Sequence, residues 1–411
     1  MSAGPAIDAE RVIADLRELQ RRTGDRDGAQ RLCWSDGWRR AREYLRELLD
    51  EIGLEPEIDE AGNAWTYLPG DAEPALAVGS HLDSVPDGGW LDGALGVMGA
   101  LGVLRAWAGA EANPPRTLAL VDWADEEGAR FGRSLFGSSA AAGTFDPAEL
   151  ADARDSDGLR APGVLAENGV ELERVVECRS RLERIGSYLE LHIEQGPVLE
   201  ATGIRAAAVS GCAGVERLRF VIRGHAAHAG TTPMDARHDA GLAAAAAALR
   251  IEEIAIAEGG VGTVGEVAYE PGIVTAVAEL ASMQVDLRHR EAGALARMLT
   301  ATREAVTACA AERGCEPAEE PIWRIEPIAF DPDLVALAGD SCEQVTGTRF
   351  ELPSGALHDA ASMAPHMPAA MIFSPSIGGV SHARDEDTSE EDLRAAIEAF
   401  ATLVNLRTTA S

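Results

Sequence analysis

A chain of 411 residues with 46% apolar content holds more sequence than one ordinary core needs, which predicts two domains. Its formal net charge of −32 excludes nucleic-acid binding, which depends on clustered basic residues that neutralise phosphates. Every basic residue is arginine, so chemistry built on a lysine amine, a Schiff base or a P-loop, is excluded as well.

No run approaches the roughly 18 apolar residues of a membrane span, so no membrane association is expected. The N-terminus is acidic and carries helical spacing in Ile7, Val12, Ile13, Leu16 and Leu19, without the charged-then-apolar order of a secretion signal. Residues 7–21 and 38–52 read as helices, the second built on Ala41, Leu45, Leu48, Leu49 and Ile52 and stopping at Gly53. A strand and turn follow around Ala61-Gly62-Asn63. The apolar run Ala75-Leu76-Ala77-Val78 then leads into Gly79-Ser80-His81-Leu82-Asp83, and a Gly88-Gly89 turn leads to Asp92. Three later apolar runs end the same way. One, 117–121, leads into Asp122-Trp123-Ala124-Asp125-Glu126-Glu127. Another, 188–191, leads into His192-Ile193-Glu194-Gln195-Gly196. The last, 369–373, passes through Gly378-Gly379 to His382. Four strand exits thus carry groups that bind metals or move protons, and open α/β sheets form their sites beyond the carboxyl ends of strands.

Between about 212 and 325 the pattern changes to strand-like 215–223, an alanine-rich helix over 237–257, strands near 261–268 and 279–287, a helix over 291–313 and a strand near 320–326. This β-α-β-β-α-β order predicts a small sheet with helices on one face, and no candidate ligand stands at its strand exits. The expected architecture is therefore α/β: a mixed-sheet catalytic domain, 1–210 and 327–411, interrupted by a smaller α+β domain at 211–326. Cys33, Cys178, Cys212, Cys309, Cys315 and Cys342 lack the paired spacing of a zinc ribbon and predict reduced thiols in a cytoplasm.

A lone histidine is more often a hydrogen-bonded structural residue, and aspartates near glycines are usually turn formers. His81 and Asp92 gain weight from company, because His192, His382 and the Glu126-Glu127 pair stand at comparable exits. Imidazoles mixed with carboxylates suit zinc, manganese or cobalt in an open catalytic site. Successive side chains on an extended segment diverge, so one of the adjacent glutamates can bind metal while the other faces the reacting water.

The segments 79–93, Glu126-Glu127-Gly128-Ala129-Arg130-Phe131, 192–196, His228-Ala229-Gly230-Thr231-Thr232-Pro233-Met234 and Ser381-His382-Ala383-Arg384-Asp385-Glu386 resemble the M20 metallopeptidase clan. Within it they are similar to the hydantoinase/carbamoylase branch of N-carbamoyl-L-amino acid hydrolases, β-ureidopropionases and allantoate amidohydrolases. The resemblance implies two divalent metal ions (zinc, manganese or cobalt) held by His81, Asp92, Glu127, His192 and His382, with Asp92 as the bridge. It implies Glu126 as general base and acid, Asp83 as the carboxylate that orients His81, and Gln195 and Arg288 as contacts to a small amino-acid-like substrate. It also implies a homodimer, in which the smaller domain is lid and dimerisation element and His228 reaches the partner's site to stabilise the oxyanion. His358 either lines the site or caps the helix after it. His225, His238, His289 and His366 are read as loop or structural residues.

The chain departs from the branch at residues 271–279. The branch pattern Pro-Asn-Ala-x-Asn-x-x-Pro-Gly is replaced by Pro271-Gly272-Ile273-Val274-Thr275-Ala276-Val277-Ala278-Glu279, and Leu357 stands where the branch has glycine before His358. The expected reaction is hydrolysis of a linear carbamoyl or ureido C–N bond. Allantoate hydrolysis, N-acyl amino acid deacylation and a catalytically silent ligand-binding relative are the competing readings.

Overall fold

The structure, a computed structural model, describes residues 4–409. Two helices open the chain, α1 (Ala9–Thr23) and α2 (Asp36–Asp50), each about two residues displaced from the limits that apolar spacing predicts. Their starts are set by caps: the side chain of Asp8 accepts from the backbone N–H of Arg11, and that of Ser35 from Trp38, which satisfies amide donors that helical bonding leaves free. There follow β1 (Ala64–Leu68), β2 (Ala75–His81), α3 (Ala94–Ala108), β3 (Leu118–Trp123), β4 (Ile185–Ile193) and β5 (Ala207–Cys212). Next come β6 (Gly214–Arg223), α4 (Ala240–Glu258), β7 (Val261–Glu270), β8 (Leu280–His289), α5 (Ala292–Ala311) and β9 (Glu316–Ile325). The chain ends with α6 (Pro332–Thr346), β10 (Ala369–Ser374) and α7 (Glu390–Thr409). It divides into two compact units, Gly211–Ile328 and the remainder. Among the described residues no helix is long and apolar enough to cross a membrane.

In the larger unit the main sheet runs β5-β10-β4-β2-β3-β1, with short strands at its edges. The four central strands are mutually parallel, while β1 and β5 pair antiparallel to them. β2, β3 and β10 are buried along their whole length, as their near-continuous apolar runs require of parallel strands covered on both faces. These four are the strands whose exits carry the candidate ligands. Because they are adjacent and parallel, their carboxyl ends open on one edge of the sheet, with His81 in register with Trp123 and His192 with Phe373.

The inserted unit is an antiparallel sheet of order β7-β8-β6-β9, realising the predicted β-α-β-β-α-β sequence. Alternate residues of β6 and β8 are buried. Leu218, Phe220, Met283 and Val285 pack with Ala243, Ala247 and Ile251 of α4 and Leu295 and Met298 of α5. Alanine along the inner side of α4 lets that helix sit close to the sheet.

Candidate metal centre

Asp92 lies at the centre of the site. Its Oδ1 is 3.1 Å from His192 Nε2 and 3.7 Å from His81 Nε2, and its Oδ2 is 3.3 Å from His382 Nε2, which is itself 3.3 Å from Glu127 Oε2. Two three-residue groups therefore share one carboxylate: His81, Asp92 and His192, and Asp92, Glu127 and His382. Two atoms each about 2.1 Å from one ion at a tetrahedral angle stand about 3.4 Å apart, and the observed separations bracket that value. The donor set fits divalent ions on a second count. Glu127 Oε1 is buried without a hydrogen-bond partner, and a cation satisfies such an acceptor.

Local backbone produces this convergence. Gly93, between Asp92 and α3, has φ 64°, and a Cβ there would stand 2.4 Å from the His81 ring. Only glycine lets the imidazole lie against that turn. Asp125 and Gln195, just past strand ends, and His382 also have positive φ, the kind of strain that collects at working sites. His81 Nδ1 lies 3.1 Å from the carbonyl of Asp83 and His192 Nδ1 lies 2.9 Å from that of Ile193. Each ring therefore donates from Nδ1 and turns the Nε2 lone pair toward Asp92.

Asp83 does more than orient His81. Its carboxylate is 3.6 Å from the ring, farther than its own carbonyl, while Oδ1 and Oδ2 accept from the backbone N–H groups of Glu126 and Glu127 at 3.2 Å each. It fixes the glutamate pair so that the two side chains part. Glu127 goes to His382, and Glu126 Oε2 sits 3.6 Å from His81 Nε2. Burial, with Asp359 and Glu127 adding to it and His81 opposing, raises the Glu126 carboxyl well above its ordinary value.

Gln195 Nε2 donates to Asp92 Oδ2 at 2.8 Å. His358 is the first residue before a short helix, Asp359–Met363, but its side chain does not cap it. At 2% exposure the ring packs 4.4 Å from that of His192, with Nε2 2.9 Å from Ser354 Oγ. His228 and Arg288 belong to the inserted unit. His228 lies on a two-residue strand paired with Ala276–Val277, so the departing segment is its immediate neighbour. Arg288 donates to Asp286 from Nε at 2.8 Å and from Nη2 at 3.3 Å, and Asp286 also accepts from Arg217. Within the inserted unit, His238 and His289 have backbone carbonyl partners, and the His225 ring meets that of His238.

Residues without an assigned role in the sequence reading also support the site. Glu386 accepts from the N–H groups of Leu91 and Asp92 at 3.1 and 3.0 Å. Glu190, behind His192, accepts from Ser80 Oγ at 2.7 Å and from the N–H of Ala360 at 2.9 Å. A carboxylate inside the apolar strand β4 was the available signal for Glu190.

The ligand groups hold protons that a metal must displace. The hydrogen bond to Asp92, ahead of burial, which opposes it, raises His382 from 6.5 to about 9. Burial first, then the charge of Asp92, raises Glu127 from 4.5 to about 7. Both folded values lie above the unfolded ones. Their contribution to the stability of metal-free protein is therefore fully present below the unfolded values and is lost as pH rises through about 7 and then about 9. Manganese loading is expected to release protons at pH 6.5 and progressively fewer as pH passes 9. Titration calorimetry in buffers of different ionisation enthalpy measures this, and a release independent of pH would contradict it.

A mixed sheet whose four central parallel strands gather imidazoles and carboxylates at their exits around a shared aspartate is the arrangement of a metal-dependent hydrolase. The pattern of peptidase family M20/M25/M40 matches residues 77–406, and the chain belongs to that family. It is 35% identical over 374 residues to an N-carbamoyl-L-amino acid amidohydrolase of Geobacillus stearothermophilus, covering 90% of this chain and 91% of that one. It is 30% identical over 384 residues to an allantoate amidohydrolase of Bacillus subtilis (strain 168), covering 92% of each. The solved structure of an amidase of the hydantoinase/carbamoylase family from Burkholderia multivorans matches with a TM-score of 0.90 at 31% identity, over 98% of this chain and 99% of that one.

Proposed function

We propose that this protein is a two-metal amidohydrolase that cleaves the carbamoyl C–N bond of an N-carbamoyl amino acid, as a cytoplasmic homodimer. The observation that carries the reading is Asp92, one oxygen of which serves each of two three-residue ligand groups, with Glu126 beside them. His81, Asp92, His192, Glu127 and His382 would hold two divalent ions (zinc, manganese or cobalt), which when bound would supply a polarised carbonyl and water acidic in the neutral range.

Glu126 takes the proton of the attacking water and delivers it to the leaving amino-acid nitrogen. Burial raises the pKa of that carboxyl, which strengthens it as acceptor of water's proton and keeps the acid form available near neutral pH for delivery to the amine. The C–N bond breaks, the amine leaves, and the remaining carbamic acid separates into ammonia and carbon dioxide. Gln195, which donates to Asp92, contacts the substrate, and His228 stabilises the oxyanion. Arg288 grips the substrate carboxylate by exchanging the fork it makes with Asp286 for an equivalent one. Most of the exposed large apolar side chains among the described residues belong to the inserted unit, among them Leu249, Ile256, Val261, Val274 and Trp323. Their concentration in that unit supports pairing of chains through it, which light scattering in solution tests.

A second reading, N-acyl deacylation or allantoate hydrolysis, is favoured by one feature: the departing segment 272–279 pairs with the strand of His228. A panel of N-carbamoyl-L-amino acids, ureidopropionate, allantoate and N-acyl amino acids, tested with manganese-loaded protein, separates the two. The carbamoyl compounds are expected to yield free amine and ammonia in equal amounts. Amine without ammonia rejects the carbamoyl reading in favour of deacylation, and no turnover of any compound rejects both.

A further inference from the structure

Arg31 has no exposed surface at all. A guanidinium stays charged throughout the physiological range, and burying a charge is expensive unless its donors are satisfied. No carboxylate lies within salt-bridge distance of it among the described residues. Its partners are instead oxygens of the loop between two candidate ligands: Nε donates to the carbonyl of Leu82 at 2.8 Å and Nη2 to that of Gly89 at 3.4 Å, while Nη1 reaches Gln20 Oε1 at 3.4 Å. The backbone is tied to the same loop. Arg31 N–H donates to Ser84 Oγ at 3.2 Å, and Ser84 N–H donates to the Arg31 carbonyl at 3.1 Å.

Leu82 follows His81, and Gly89 stands three residues before Asp92, so the two carbonyls bracket the loop that spaces these ligands. The loop is also held by Glu386, which takes the N–H groups of Leu91 and Asp92 on Oε1 and the hydroxyl of Ser381 on Oε2 at 2.9 Å. There is no slack between the two holds, since a Cβ on Gly89 would stand 2.0 Å from the Glu386 carboxyl carbon. The charges that act on Arg31 most strongly are those of Glu386, Asp92, Asp83 and Glu127. It is thus a fixed cation under an acidic site, bonded to peptide groups and leaving every carboxylate of that site available.

We infer that Arg31 is a positioning residue for the metal centre: its guanidinium, forked between the carbonyls of Leu82 and Gly89, sets the distance between His81 and Asp92. The inference rests on the two-ion reading of that centre. Lysine keeps the charge but presents one compact donor in place of a planar fork, so charge and geometry separate.

The test compares wild type, Arg31→Met and Arg31→Lys after metal removal and titration with cobalt. It reads ion stoichiometry and affinity, the visible spectrum of the bound cobalt, and thermal unfolding. Wild type taking up fewer than two ions would reject the two-ion reading, whatever the variants do. Given two ions in wild type, folded Arg31→Met is expected to bind them at least about tenfold more weakly, the usual effect of removing a group that orients ligands, with an altered spectrum. Arg31→Lys is expected to fold and to recover only part of the affinity. Wild-type affinity and spectrum in a folded Arg31→Met protein would overturn the inference. If Arg31→Met does not fold, Arg31→Lys decides alone: a wild-type spectrum and affinity overturn the fork's role, and weakened, spectrally altered binding supports it.

Discussion

Glu126→Gln is expected to lower kcat by about a thousandfold or more, within the range that a positioned general acid and base contributes, with metal content unchanged. The geometry isolates the proton-transferring group. Glutamine has the same shape, and the backbone N–H of residue 126 still reaches Asp83 Oδ1, so the segment that carries Glu127 to His382 stays in place. Neither candidate ligand group includes Glu126, so no ion loses a ligand. What disappears is a carboxylate able to accept a proton and return it. Steady-state kinetics on the active carbamoyl substrate, paired with elemental analysis of the same preparation, make the measurement. Activity within tenfold of wild type at full metal content would remove Glu126 from the mechanism. A large loss accompanied by metal loss would move the residue among the ligands.

The sequence made legible those parts of the molecule that depend on side-chain type. His81, Asp92, Glu127, His192 and His382 stand out because imidazoles and carboxylates rarely end apolar strands without a use. The parallel order of β2, β3, β4 and β10 places those ends together. The inserted unit stands out because its periodicity changes from buried runs to alternation, as one-faced antiparallel strands require. What stayed hidden runs through peptide groups, which no side-chain pattern encodes. Asp83 was expected to serve His81, and besides lying 3.6 Å from that ring its carboxylate holds two backbone amides some forty residues away. Glu386 reaches amides nearly three hundred residues earlier. Helix limits shifted for the same reason, since Asp8 and Ser35 cap amides that apolar spacing does not register. Arg288 shows a different limit. An arginine and an aspartate two apart on a strand lie on one face, and that spacing carried the Asp286 pairing now observed.

Asp92→Asn is expected to reduce bound metal from two ions to one or none and to lower kcat by about three orders of magnitude, the several kcal/mol that a metal's Lewis acidity supplies. The carboxylate is used on every side. Oδ1 faces His192 and His81, and Oδ2 faces His382 while accepting from Gln195 Nε2 at 2.8 Å. An asparagine must put its NH2 on one of those sides. Placed at Oδ2, it meets the Gln195 donor and cannot bind an ion; placed at Oδ1, it removes the ligand between His81 and His192. Either orientation dismantles one group while its volume and backbone bonds to Glu386 remain, so the fold is expected to persist, with an unfolding temperature close to that of metal-free wild type. Equilibrium dialysis against manganese or cobalt measures the stoichiometry directly. Two ions bound with wild-type affinity would show that Asp92 is not the bridge, and would leave Glu127 and Gln195, each with an unpartnered buried oxygen, as the groups able to take its place.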